Sequence, residues 1–352
     1  MADLDTLFAD FNKQYKAKIA CKGISDVKYP RIPFTSPRAN YMLYGGIPRN
    51  RMIEFFGDYS CGKTTTALDL IGNAQKLFEL EEQGQKCVFV DAEHTLDYDW
   101  AKKLGVDVEE LYVLDPEGQS AEQIFEMILE MVKTGKVGLI VLDSLANLVS
   151  QQECDKTMEE RTVGGISASL TIFARKMADV LKQYKCTFIG INQIRCAGVG
   201  QAMSYALYDT PGGKSWKLNC SVRLEFKQGD LFDEHGKSIP KNSENPFGNE
   251  IKMHIKKTKV CKPNRRVGTY NLWYDKGIDK ISDLFDIAQK EGIIQGKGWY
   301  TFVDVETGEV LMDENDKEIK INGKEAVIQF LSDNEIILQE IEQKLNKVIE
   351  GI

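Results

Sequence analysis

Residues 57–66 read GDYSCGKTTT and follow the apolar run RMIEFF directly. The stretch fits G-x-x-x-x-G-K-[ST], a loop whose glycines let successive backbone N–H groups fold around phosphate oxygens. An apolar strand must lead into such a loop and a helix must leave it; TTTALDLIGNAQKLFELEEQ supplies the helix. Gly57 and Gly62 give the backbone its freedom to turn, Lys63 is placed to neutralise β- and γ-phosphates, and the Thr64 hydroxyl can ligate Mg2+. Kinases, helicases, transporters, GTPases and recombinases all use this loop, so the work it drives must be read elsewhere.

Further along, CVFVDAEH (87–94), VGLIVLDS (137–144) and CTFIGINQ (186–193) are three more apolar strands. The amphipathic stretches SAEQIFEMILEMVKTG (120–135) and SLTIFARKMADVLKQY (169–184) separate them. Strands that are apolar throughout, alternating with helices, predict an α/β fold with a mostly parallel central sheet covered on both faces. Asp143 ends one strand, where a magnesium-side carboxylate belongs; a strand-end cap is the alternative. Glu93 lies just beyond another strand and can deprotonate an attacking water, or it can be an ordinary solvent-facing acid. No N-K-x-D guanine-reading motif is present, which favours ATP over GTP. Asn192 and Gln193 are strand-end amides able to bond phosphate, water or backbone. Two glycine-containing segments, 151–167 and 195–215, follow strand ends, the edge at which open α/β sheets bind ligands.

The formal net charge of −8 excludes a uniformly basic surface, but nucleic-acid binding depends on where cations cluster. KMHIKKTKVCKPNRR (252–266) has no acid, whereas VDVETGEVLMDENDKE (303–318) has a single lysine. The basic run is either a solvated face or a phosphate contact. Eight scattered cysteines without a C-x-x-C pair, beside three histidines, read as reduced thiols of a cytoplasmic protein and not as a zinc site. No apolar run approaches the roughly 20 residues of a membrane span, and MADLDTLFADFNKQYKAK has no signal-peptide pattern. Leu4, Leu7, Phe8 and Phe11 form one helical stripe in that segment. The expected organisation is an N-terminal helical segment (1–30), a core (31–275) and a small C-terminal α+β domain (276–352).

GDYSCGKTTT, VFVDAEHTLD followed by AKKLGVD, LIVLDSLANL, FIGINQIR and TPGGKSWKLNCSVRLEF, in this order and spacing, resemble the bacterial RecA recombinase family. GKGWYTF and INGKEAVIQFL are similar to that family's C-terminal domain, so the resemblance runs from about residue 36 to the C-terminus. It implies a RecA-type P-loop ATPase core and an ATP-dependent strand-exchange protein that polymerises on single-stranded DNA and pairs it with homologous duplex. ATP and Mg2+ are the implied cofactors. Single-strand-binding and mediator proteins are possible partners, and no membrane is involved.

By position, the resemblance gives the nucleotide to Gly57, Asp58, Tyr59, Ser60, Cys61, Gly62, Lys63, Thr64 and Thr65, with Asp97 and Trp100 completing the pocket. Thr64 and Asp143 would hold the metal, and Glu93 would activate water alongside Lys63 and Gln193, the last sensing the γ-phosphate. Lys257 and Lys259 would cross to the ATP of a neighbouring subunit. Segments 153–167 and 195–213 would be the DNA loops, with Val163, Gly164, Thr171, Arg175, Arg195, Gly212, Gly213 and Lys214 on DNA. The N-terminal stripe would dock on the next protomer.

Departures from the family pattern are Asp58, Tyr59 and Cys61 in the loop, Trp100 in place of a stacking tyrosine, Ala168 in place of an arginine, and Lys214 in place of an asparagine. A wider indole should stack at least as well as a phenol. These departures point to a divergent member, phage-encoded or otherwise specialised. Two other uses of the same fold stay open at this stage: an ATP-switched assembly without strand exchange, and a hexameric helicase motor.

Overall fold

The computed structural model describes residues 3–15, 29–82, 84–157, 165–196, 208–304, 307–312 and 317–351. The chain divides into two compact units, Met1–Pro30 and Arg31–Ile352. In the first, helix α1 (Leu4–Gln14) buries no residue and leaves Leu4, Leu7 and Phe11 exposed.

The second unit is built on a ten-stranded sheet. Strands β3 (Met52–Gly57), β4 (Lys86–Asp91), β5 (Leu111–Leu114), β6 (Val137–Asp143), β7 (Thr187–Gln193) and β10 (Val222–Phe232) form its parallel part, in the order β10-β3-β7-β6-β4-β5. Beyond β10 the order continues through β12 (Gly248–Thr258), β13 (Val267–Trp273) and β14 (Gly277–Ile278), all antiparallel, and the short β11 (Ser238–Ile239) also pairs with β10. The sheet is therefore mixed, not mostly parallel as its first four strands suggested. The reason is connectivity: β10, β12 and β13 follow one another through turns, which give antiparallel neighbours, whereas parallel neighbours need crossovers.

Residues of β6 alternate between two cores. Leu139 and Val141 pack beneath helix α3 (Lys63–Leu80) with Phe55, Ile189, Leu70 and Phe78. Ile140 and Leu142 face helices α5 (Ala121–Lys133) and α7 (Ser167–Gln183) through Phe125, Ile128, Phe173 and Met177. Burial on both faces explains why this strand is apolar at every position. Helix α4 (Tyr98–Lys103) joins β4 to β5, while α6 (Gln151–Cys154) and α8 (Gly213–Asn219) flank the two glycine-containing segments. The ribbon β8 (Arg195–Cys196) with β9 (Tyr208–Asp209) closes the base of the second.

At the N-terminal side of this unit, ribbon β1 (Arg31–Ile32) with β2 (Ile47–Pro48) frames helix α2 (Pro37–Met42). A third core belongs to helices α9 (Lys280–Lys290), α10 (Lys324–Asp333) and α11 (Glu335–Glu350) around the three strands β15 (Ile294–Lys297), β16 (Trp299–Phe302) and β17 (Lys320–Asn322). Phe285, Phe302, Leu331 and Leu345 are its buried centre. Arg38 of α2 ties it to the large sheet, reaching Asp283 and Asp286 of α9 and Glu250 of β12. Among the described residues no helix is long and apolar enough to cross a membrane.

Candidate nucleotide-binding site

Every residue of β3 is buried, so the chain enters the 57–62 loop from the middle of the sheet. A side chain at Gly57 would lie 2.4 Å from the Phe226 carbonyl oxygen, and Gly62 starts α3 with φ +89°, a left-handed conformation that glycine accepts at no steric cost. Lys63 is buried and turned back over the loop: Nζ donates to the Gly57 carbonyl at 3.3 Å and to that of Asp58. The unusual Cys61 donates from Sγ to the Asp58 carbonyl at 2.9 Å, and burial pushes its thiol up, so it serves as a neutral donor closing the loop. Asp58 accepts the Tyr59 N–H, and Tyr59, like Ser60, is exposed. The Trp100 indole donates to Thr65 Oγ1 at 3.4 Å, beside the first turn of α3, and Asp97 caps α4 by accepting the Trp100 N–H.

The ends of β4, β6 and β7 bring their polar residues to the same place. Thr64 Oγ1 donates to Asp143 Oδ2 at 2.5 Å. Burial pushes the Asp143 carboxyl up to about 7, with the nearby Glu93 and Asp91 charges adding to the rise and Thr64 and Lys63 opposing it. Asp91 shapes the next loop by accepting the N–H groups of Thr95 and Leu96. The Asp143 carbonyl accepts from Ala92 and Glu93 at 2.7 and 3.1 Å, which pins residue 93 against the end of β6. The Glu93 side chain then accepts from Ser144 Oγ at 2.6 Å and from Gln193 Nε2 at 3.1 Å, both on Oε1.

Lys63, Thr64, Glu93, Asp143 and Gln193 are thus gathered as their positions in the chain suggested. Ser144 belongs with them and was not singled out; its only signal was a polar residue following a strand-end acid. The donor set suits a nucleotide that carries its own metal. Among the described residues no cluster of three or more His, Cys, Asp or Glu is placed to hold an ion alone. Mg2+ commonly takes one or two protein oxygens and fills its remaining positions with phosphate and water. Thr64 and Asp143 offer two such oxygens.

Lys257 and Lys259 do not join this constellation within the chain. Lys257 Nζ donates to the Lys217 and Leu218 carbonyls at 2.6 and 2.7 Å, and Lys259 Nζ to that of Leu218 at 2.7 Å, so both cap the last turn of α8. Burial first, and then the Lys259 ammonium, hold the Lys257 amine below its ordinary value. Much of the remaining basic run is also spent internally. Lys252 pairs with Glu250 and Lys256 with Glu225, each at 3.0 Å. Arg265 caps α11 at the Ile349 carbonyl (2.7 Å) and stacks on Tyr41 and Tyr44.

Of the residues expected on DNA, Val163 and Gly164 lie outside the described residues, as does most of the second loop. Thr171 and Arg175 stand one turn apart on α7, with Arg175 exposed and the Thr171 hydroxyl donating to the Ser167 carbonyl at 2.8 Å. Gly212 and Gly213 open α8 at φ +103° and +71°, and a side chain at Gly212 would come within 2.4 Å of Leu170 on α7. Lys214 follows them, exposed. Arg195, on the ribbon, donates to the Ala146 carbonyl at 3.2 Å.

A buried polar network links that ribbon to the end of β7. Asn192, next to Gln193, donates to Glu54 Oε1 and to the Pro211 carbonyl, both at 3.0 Å. Arg223 bonds the other oxygen of the fully buried Glu54 and also reaches Thr210 Oγ1 at 3.2 Å. Glu54 and Arg223 carried no visible signal beyond being charged residues inside apolar strands.

A mixed central sheet flanked by helices, with one strand running through a G-K-T turn into a covering helix and a strand-end acid on the turn's threonine, defines an α/β protein. Comparison narrows the class. The RecA N-terminal domain model matches residues 36–279. The chain is 37% identical over 304 residues to Protein RecA of Thermotoga maritima, covering 86% of this chain and 78% of that one. It is 35% identical over 307 residues to Protein RecA of Fusobacterium nucleatum (87% and 72% covered) and 32% identical over 347 residues to that of Ruminococcus albus (97% and 79%). The chain belongs to the RecA family, and membership gives it a recombinase-type function in general terms. These relatives are bacterial and lend no support to a phage origin. A solved structure titled as the RadB recombinase is a weaker likeness, with a TM-score of 0.47 and 16% identity over 68% of this chain and 94% of that one, and adds nothing to the assignment.

Proposed function

We propose that the chain is an ATP-dependent homologous recombinase that assembles as a filament on single-stranded DNA and pairs it with homologous duplex. The observation that carries this reading is the grouping of Glu93, Asp143, Ser144 and Gln193 against the 57–65 loop, in a chain of the RecA family. Loop N–H groups and Lys63 hold the phosphates, which requires the Lys63 ammonium to leave the loop carbonyls it now covers. Thr64 and Asp143 hold Mg2+, which when bound neutralises phosphate charge. Glu93 takes the proton of the attacking water, and Trp100 stacks on the base.

Gln193 and Asn192 are adjacent on β7, one bonded at the nucleotide end and the other to the base of the second loop. Movement of one is therefore felt by the other, and this supports coupling between nucleotide state and the grip on DNA. Lys257 and Lys259 exchange the α8 carbonyls for the phosphates of a nucleotide on a neighbouring protomer. DNA is held by its backbone and read by base pairing, so affinity falls steeply with salt as counterions are released.

The test is ATP turnover with and without single-stranded DNA, followed by joint-molecule formation with homologous duplex. The expected result is DNA-stimulated turnover and joint molecules, both lost in Lys63→Ala. Turnover indifferent to DNA would indicate an ATP-switched assembly, and directional unwinding of a forked duplex without joint molecules would indicate a helicase motor.

A further inference from the structure

We infer that Ser144 is the positioning residue for Glu93, fixing which of its two carboxylate oxygens faces the water. This rests on the reading of Glu93 as the proton acceptor. Residue 93 is held at two points by one dipeptide: its N–H donates to the Asp143 carbonyl at 3.1 Å, and its Oε1 accepts from Ser144 Oγ at 2.6 Å. Ser144 is itself fully buried, and its carbonyl accepts the Asn147 N–H at the turn that follows, so the hydroxyl projects from a fixed backbone.

Gln193 Nε2 donates to the same Oε1, at 3.1 Å. Both donors therefore occupy one oxygen, and among the described residues no hydrogen bond reaches Oε2. A carboxylate clamped in this way presents one oxygen with its lone pairs free, which is the arrangement a proton acceptor needs. The two donors differ in what else they can serve. Gln193 belongs to the strand end where a γ-phosphate would also claim its amide, whereas Ser144 is attached to the dipeptide that holds the Glu93 backbone. When Gln193 turns toward phosphate, Ser144 remains as the contact that keeps Oε1 turned away from the water. Placement errors of about 1 Å at a reacting group can cost on the order of a hundredfold in rate.

The experiment compares Ser144→Ala with the parent chain in DNA-stimulated ATP turnover, in equilibrium binding of a non-hydrolysable ATP analogue, and in a crystal structure of the variant with that analogue bound, where Gln193 is engaged by phosphate and no longer holds Oε1. The expected result is a kcat about ten- to a hundredfold lower, with KM and analogue affinity unchanged within about twofold. The Glu93 carboxylate in the variant structure is expected to leave its single rotamer. In a Glu93→Gln background, Ser144→Ala should have almost no further effect on rate, because the group it positions is gone.

Unchanged kcat in Ser144→Ala, or an equal loss in both backgrounds, would overturn the inference. If Ser144→Ala does not fold, Ser144→Cys carries the test: the thiol is of similar size but a weaker donor, so kcat should drop severalfold with KM unchanged, and an unaltered kcat overturns the inference. Absence of ATP turnover in the parent chain would instead overturn the proposed function on which the inference stands.

Discussion

At the phosphate-loop end of the sheet, Asp143 is buried with the Thr64 hydroxyl as its hydrogen-bond partner; where the antiparallel edge meets α9, Asp283 is equally buried but faces Arg38 at 3.3 Å. Burial pushes both carboxyls up, to about 7 and about 8. Among the described residues Asp143 makes no ion pair, whereas Asp283 shares its arginine with Asp286 and Glu250. A buried acid supplied with a cation from its own chain is a structural joint. One left beside a hydroxyl, at the edge where strands end, suits a cation that arrives with a ligand. The contrast separates a region that holds the fold together from a region whose buried acid has no cation of its own chain in ion-pair contact among the described residues.

The largest effect expected is at the strand ends around Asp143. Glu93→Gln keeps the shape and the hydrogen-bonding oxygen but cannot take a proton, so single-turnover hydrolysis should slow by about 10^2–10^4-fold while DNA complexes outlive those of the parent. Rapid hydrolysis in that variant would remove Glu93 from the chemistry.

At the structural joint, Arg38→Ala should cost about 1–3 kcal/mol in urea melts near neutral pH, where Asp283 is largely protonated, and more at pH 9, where the parent carboxyl ionises against Arg38 while the variant, without the cation that lowers it, must still hold a proton or bury an uncompensated charge. A cost that did not grow with pH would contradict the assignment.

The same two acids, together with Asp69, whose carboxyl burial pushes up to about 6, set a pH dependence. Their folded values lie above the roughly 3.9 of an unfolded aspartate. From about pH 4 up to those values the folded chain holds protons that the unfolded chain has released, so stability of the nucleotide-free protein falls as pH rises through this window and levels off above it. Asp283→Asn should flatten the upper part of the fall, between about pH 6 and 9; an unchanged slope would mean that other groups set it.

The smallest effect concerns the lysines that cap α8. In the nucleotide-free chain Lys259→Ala removes only a cap on helix carbonyls and should lower stability by about 0.3–1 kcal/mol. A loss several times larger would mean that Lys259 is fixed in the fold and not available to a neighbour's nucleotide.

Strands β3, β4, β6 and β7 of the parallel part were legible because they are buried on both faces and read as nearly continuous apolar runs, with a candidate site residue at or just past each end: Gly57, Glu93 just past Asp91, Asp143 and Gln193. The two edges of the sheet were less so. β13, VGTYNLW, alternates buried and partly exposed positions and gives a weaker signal than LIVL, and β5 is four residues at the sheet's edge. Glu54 looked like an interruption of MIEFFG because its partners, Asn192 and Arg223, are 138 and 169 residues away. Cations in the 252–266 run could not be apportioned for the same reason. Arg265 meets the end of α11, and Lys257 meets α8, through contacts that no local pattern announces.

A cryo-electron-microscopy map of the protein on single-stranded DNA with a non-hydrolysable ATP analogue tests the central claim most directly. The expected map places the triphosphate in the 57–65 loop, its metal between Thr64 and Asp143, its terminal phosphate toward Glu93 and Gln193, and Lys257 and Lys259 of an adjacent protomer on the same nucleotide. A triphosphate bound away from Asp143 and Glu93, or one with no contact to the adjacent protomer's lysines, would contradict it.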